Sequence, residues 1–190
     1  MTGEPHGCPR RHFLALAMTP LAGACQQPRE PSMGDRMPEG IPDWMMGRDG
    51  MMDLDMMRDM RVIHDLLSRH QDIRRTVQDL SYGIRATTTS ARSDVAERIR
   101  THVEQMRSRL DHGAAIRQMD PLFAEIFERA HQVELEIEHV PGGVRVDETS
   151  RDPVTAMLIR QHAHQAVSEF VAAGMNRAMR PTPLPPGYTG

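Results

Sequence analysis

A chain of 190 residues with a formal net charge of -3 and 26% charged residues suggests one domain with flanking segments. That charge balance excludes a chain-wide basic surface for nucleic acid or an acidic membrane, and no aromatics interleave with the arginines as nucleic-acid binding would need. Aromatic residues make up only 4% of the chain, so Leu, Ile, Val, Met and Ala must fill any core.

Residues 1–24 read as a signal peptide. Arg10 and Arg11 precede the apolar run Phe13–Ala24, which is far shorter than the roughly 20 residues that span a bilayer and so reads as an export h-region. The arginine pair resembles the twin-arginine signal, and Leu21-Ala22-Gly23-Ala24-Cys25 resembles a bacterial lipobox, with its leucine four residues before the cysteine instead of three. The resemblance implies a bacterial lipoprotein of the periplasm, held at the membrane by a lipid on Cys25, and folded cargo that often carries a cofactor. Cleavage near Ala24 without a lipid is the alternative. Cys8 falls in the removed segment, which leaves no thiol pair for a disulfide or a thiolate metal site.

Residues 25–50 read as a tether, rich in Pro, Gly and charge and without an apolar period. Methionines crowd its end and continue into the body: Met45, Met46, Met51, Met52, Met56, Met57 and Met60. In a helix, Met52, Met56 and Met60 stack on one side. Thioether is a soft, uncharged ligand that suits Cu(I) or Ag(I) better than zinc or calcium. The tract resembles the methionine-rich segments of bacterial copper-handling proteins, which implies copper as ligand. The same side chains also suit two roles that need no metal. Met52, Met56 and Met60 extend an apolar helix stripe as adaptable gap-fillers, or the sulfurs scavenge oxidants.

Residues 51–175 read as a duplicated domain, repeat one 51–112 and repeat two 118–175. A shift of 60 aligns residues 61–112 with 121–172 without a gap and matches Arg69/Arg129, Gly83/Gly143, Arg85/Arg145, Ser90/Ser150, Ile99/Ile159, Arg100/Arg160 and His102/His162, among others. Each copy opens with a helix. Met60, Ile63, Leu67 and His70 form the stripe of the first, and Asp120 with Pro121 caps its counterpart. A hairpin follows, clearest where Val133, Leu135 and Ile137 alternate, Pro141-Gly142-Gly143 turns, and Val144 and Val146 return. A second helix closes the unit. The expected fold is α+β: tandem α-β-β-α units, four antiparallel strands packed with four helices about a pseudo-twofold axis. Residues 176–190 read as a proline-rich tail without a core. The body is similar to exported bacterial proteins that carry the same duplicated unit, a likeness that implies no activity.

His102 and His162 share one position of the repeat, on the apolar stripe of the second helix. Met106 lies one turn after His102, and His70 lies on the inward stripe of the first helix. Together these four form a candidate metal or haem set, since imidazole suits iron and copper and thioether suits Cu(I). The structural alternative is a buried histidine bonded to a backbone carbonyl or to Arg100 or Arg160, two residues earlier. Asp147 and Glu148 read as solvated residues at a strand end, and His164 as solvated opposite His162. No nucleotide loop, nucleophile elbow, haem-attachment or zincin motif occurs, and no catalytic residue stands out. Three functions follow. The first is an exported, non-catalytic copper- or silver-handling chaperone or buffer with a periplasmic partner. The second is a haem b sensor or electron carrier. The third is a cofactor-free interaction module.

Overall fold

The computed structural model describes residues 54–190. The signal segment, Cys25, the tether, Met45, Met46, Met51 and Met52 lie outside the described residues. Helix α1 (Leu54–Ser68) places Met56, Met60, Ile63 and Leu67 along one side. It runs through a 3-10 turn, His70–Asp72, into β1 (Ile73–Leu80), which forms a hairpin with β2 (Gly83–Ser90). Helix α2 (Ser93–His112) ends at Gly113, whose left-handed backbone (φ 63) lets its N–H reach the Arg109 and Leu110 carbonyls. Helix α3 (Pro121–Glu128) starts as its residues predict: Asp120 accepts from Leu122 N, and Pro121 sits at the first position. A 3-10 turn leads to the hairpin β3 (Glu134–Val140) and β4 (Gly143–Thr149), then to α4 (Pro153–Gln161), capped by Asp152.

The four strands make one antiparallel sheet in the order β1-β2-β4-β3. The β2–β4 seam runs from Gly83↔Thr149 through Ala86↔Val146 to Thr89↔Gly143. One face carries Ile73, Ile84, Ala86, Val144 and Val146 against Val95 and Ile99 of α2 and Ile159 and Ala163 of α4 and the turn after it. The other carries Arg74, Thr76, Gln78, Arg85, Glu136 and Glu138, most of them exposed. That alternation is what a one-sided antiparallel sheet requires. Two arginines tie helices to hairpins. Arg100 Nη2 donates to Val140 O (3.4 Å) at the β3–β4 turn, and Arg160 Nη2 donates to Leu80 O (2.7 Å) at the β1–β2 turn.

The architecture is α+β with a four-stranded antiparallel sheet, and it departs from expectation in two places. The last helix is not one regular rod. After α4 the chain winds as a π-helix, His162–Ser168, then forms α5 (Glu169–Ala173) and, past Gly174 (φ 58), α6 (Met175–Ala178). Second, the C-terminal segment has a core. Fully buried Asp120 accepts from Thr182 N (3.0 Å), and Leu184 and Tyr188 pack against Leu122, Ile126, Leu158 and Ala166. Gln161 Nε2 donates to Pro183 O (3.0 Å) and the Tyr188 hydroxyl to Glu125, and composition gives no sign of this docking. Met56 and Met60 are core side chains that pack with Ile116, in keeping with the apolar-stripe alternative for these two methionines. Their turn of α1 is held by a buried pair, Asp59 with Arg109 Nε at 2.5 Å.

Gly143 sits where the seam leaves no room: a Cβ there would lie 2.0 Å from Thr88 O and 2.9 Å from Thr89 Cα. Backbone atoms of a paired strand cannot yield as a side-chain tip can. Gly143→Ala is expected to lower stability by about 3 kcal/mol in urea denaturation. A loss below about 0.5 kcal/mol, the range of a neutral surface change, would contradict this register.

Candidate functional site

A cavity of about 220 Å³ lies between the covered sheet face and the helices, and His70, His102, Met106 and His162 all line it. Its wall is mostly aliphatic, from Leu66, Ile73, Ile84, Leu135, Val146 and Val171 among others. Polar groups enter from every layer: Arg75 of β1, Thr88 of β2, Glu148 of β4, His102 of α2, Arg117 of the α2–α3 loop, and His162 at the first π-helical residue. A π-helical turn shifts which side chains face inward, and such turns recur at functional sites.

His102 is the most perturbed of the set. Its Nδ1 is buried and has no hydrogen-bond partner. Burial first, then the nearby His162 and the Arg75 cation, push its pKa down to about 4. His102 and Arg75 both keep some accessible surface because they line the cavity, yet protein surrounds them closely enough to desolvate both. His102 is therefore a neutral imidazole at physiological pH, the form that binds a metal.

His162 also has a buried Nδ1 without a hydrogen bond, 3.6 Å from Glu148 Oε2 and so beyond hydrogen-bond reach. Its ring meets Phe123 edge to face, with centroids 5.2 Å apart. The arginines two residues earlier do not bond either imidazole, because both reach outward to hairpin turns. Met106 lines the cavity one turn beyond His102 and packs against Met56, Met60 and Ile116. His70 is held differently. Its Nδ1 donates to Val171 O at 2.9 Å, and a Cβ on Gly174 would lie 2.4 Å from its Cδ2 and 2.9 Å from its Nε2. One ring nitrogen is thus bonded and Gly174 backs closely onto the other edge, and His70 reads as a wall of the cavity. Of the remaining candidates, Met57 is half-buried on α1 and does not line the cavity.

Three residues that line the cavity are absent from the set expected from the sequence. Glu148, expected to be solvated, is buried and faces His162, while its neighbour Asp147 pairs with Arg85 at 2.5 Å on the other face. The signal for Glu148 is present in the chain: Val144, Val146 and Glu148 fall on one side at period two. Arg75 has the same signal, between Ile73 and Val77. Arg117 has none. It adopts a left-handed backbone (φ 56), pairs with Asp120 at 2.9 Å and lies over the rings of Phe123 (4.8 Å) and Phe170 (5.0 Å).

Among the described residues no three His, Cys, Asp or Glu side chains converge on a point, so the usual zinc ligand sets have no counterpart there. Two imidazoles and a thioether are a set for soft Cu(I). No described helix is long and apolar enough to cross a membrane. No family model, curated protein or solved structure matches the chain.

The depressed pKa of His102 carries a sign for stability. Between pH 6.5 and 4 the unfolded chain binds a proton at His102 that the folded chain refuses, so stability falls as pH drops through that window. The loss approaches about 3 kcal/mol below it. Urea denaturation of wild type and His102→Leu across pH 4–7 should show a weaker pH dependence in the variant. Equal slopes would mean that the imidazole is not desolvated.

Proposed function

We propose that the chain is an exported, non-catalytic metal-handling protein whose cavity binds one soft monovalent ion, Cu(I) or Ag(I), through His102, His162 and Met106. The observation that carries the reading is that both imidazoles lie in one apolar cavity with their Nδ1 atoms unbonded. A buried polar atom without a partner calls for a physical cause, and a metal supplies one. Glu148 beside His162 offsets the ion's charge. The methionines ahead of α1 act as a low-affinity collector that passes the ion inward, and Cys25 tethers the chain to the membrane.

The same reading takes the body as an internal duplication about a pseudo-twofold axis. The pairing of Ala86 with Val146, matched residues of the two copies, supports it. So do the matched contacts Ser90 N to Gly142 O (2.9 Å) and Ser150 N to Tyr82 O (2.8 Å). Haem b is the second reading, with His102, His162 and Met106 as axial candidates. A cavity of about 220 Å³ is smaller than the roughly 300–1,000 Å³ of sites for drug-sized ligands, so a macrocycle would have to part the helices, and the ion is preferred.

Anaerobic Cu(I) titration against a chromophoric chelator tests the reading on the full mature chain. One tightly bound ion is expected. His102→Leu or His162→Leu should weaken it about 100-fold, at the upper end of losses seen for groups that support metal ligands. Replacing Met45, Met46, Met51 and Met52 with leucine should leave the tight ion in place. Loss of that ion in the methionine variant, with the histidine variants unaffected, would move the site out of the cavity. A Soret band in protein purified from the periplasm would favour haem.

A further inference from the structure

The metal reading uses two imidazoles and a thioether and leaves the guanidinium of Arg75 without a role. Among the described residues, four arginines reach into the protein interior. Arg109 pairs with Asp59, Arg117 with Asp120 and Arg177 with Glu169. Arg75 is the exception. Its Nη1 donates to Thr88 Oγ1 at 2.8 Å, its Nε is buried without a hydrogen bond, and it makes no ion pair among the described residues. Glu148 is close enough to act on it electrostatically but not to pair with it. Desolvation lowers its pKa only to about 10, so it stays charged at neutral pH.

An unpaired buried cation is costly, and here it lies in the wall of a cavity. We propose that Arg75 anchors an anion subsite, and that the ligand is a small organic monocarboxylate with an apolar body. The guanidinium offers a carboxylate the charged N–H donors that its one bond to Thr88 leaves over. The same wall carries Ile73, Ile84, Leu135 and Val146, which suit a hydrocarbon body. Size agrees: engineered apolar cavities of about 150 Å³ bind benzene, so about 220 Å³ takes a benzoate-sized or short branched acid. The subsite does not depend on the metal. The two occupants are compatible, because Cu(I), Arg75 and Glu148 together leave a positive charge that a monocarboxylate neutralises.

The test uses the full mature chain stripped of metal and titrated calorimetrically with benzoate and isovalerate. Benzamide serves as the uncharged isostere. Saturable binding of the acids, at least about tenfold tighter than benzamide, is expected for a charge-assisted hydrogen bond. Arg75→Met should lose at least about tenfold of that affinity, and Arg75→Lys should lose less. Arg75→Met should keep its tight copper ion while losing the acids, which separates this site from the metal site. Absence of saturable acid binding in the millimolar range would overturn the proposal. So would equal affinity for benzamide, or unchanged acid binding in a folded Arg75→Met protein. If that variant does not fold, Arg75→Lys and the acid-to-amide comparison on the wild type decide.

Discussion

Arg75, Glu148, His102 and His162 all face the layer between the covered sheet face and the helices, where water is scarce and internal partners are few. An apolar interface normally excludes such groups or pairs them. Here pairing is partial: one hydrogen bond from Arg75 to Thr88, a long approach of His162 to Glu148, and nothing on His102 Nδ1. The interface is left open as a cavity instead of closing on aliphatic side chains. Everything proposed for function follows from that incomplete satisfaction.

The surrounding frame is, by contrast, well satisfied. Asp59 with Arg109, Asp120 with Arg117 and Thr182, and Asp152 with Thr155 are short contacts at helix starts and helix junctions. Arg100 and Arg160 fasten the two hairpin turns to the helices above them. Phe123 links the frame to the site, since it meets the Arg117 guanidinium and the His162 ring. The contrast matters for the functional reading. A chain that pairs its interior charges so consistently elsewhere gives weight to the places where it does not.

Much of the fold was legible because its signals are local and periodic. Alternation in Val133–Ile137, the Pro141-Gly142 turn, and Asp120-Pro121 at a helix start each specify their element through geometry that needs no distant partner. The three-to-four spacing of Ile63, Leu67 and His70, and of His102 with Met106, marks inward stripes of two helices, and these side chains line the cavity. What was missed is what only tertiary structure decides. Arg75 and Glu148 sit on the covered face by strand parity, but a charged residue at such a position reads as an exception until the helices above it are known. The docking of residues 182–188 uses partners far off in the chain, Asp120 lying 62 positions from Thr182 and Glu125 bonding Tyr188, and the π-helical turn at His162 has no sequence mark. Met56 and Met60 illustrate the reverse: spacing that fits a sulfur ladder fits a core stripe equally well, and the core holds them.

The claim that carries the account is that His102 and His162 share one desolvated cavity. Long-range nitrogen–proton NMR of the imidazoles across a pH series reads this residue by residue. His102 should stay neutral down to about pH 4, and Cu(I) should perturb His102 and His162 together while leaving exposed rings such as His112 and His139 in place. A His102 that titrates near 6.5, with the two rings responding independently, would contradict it.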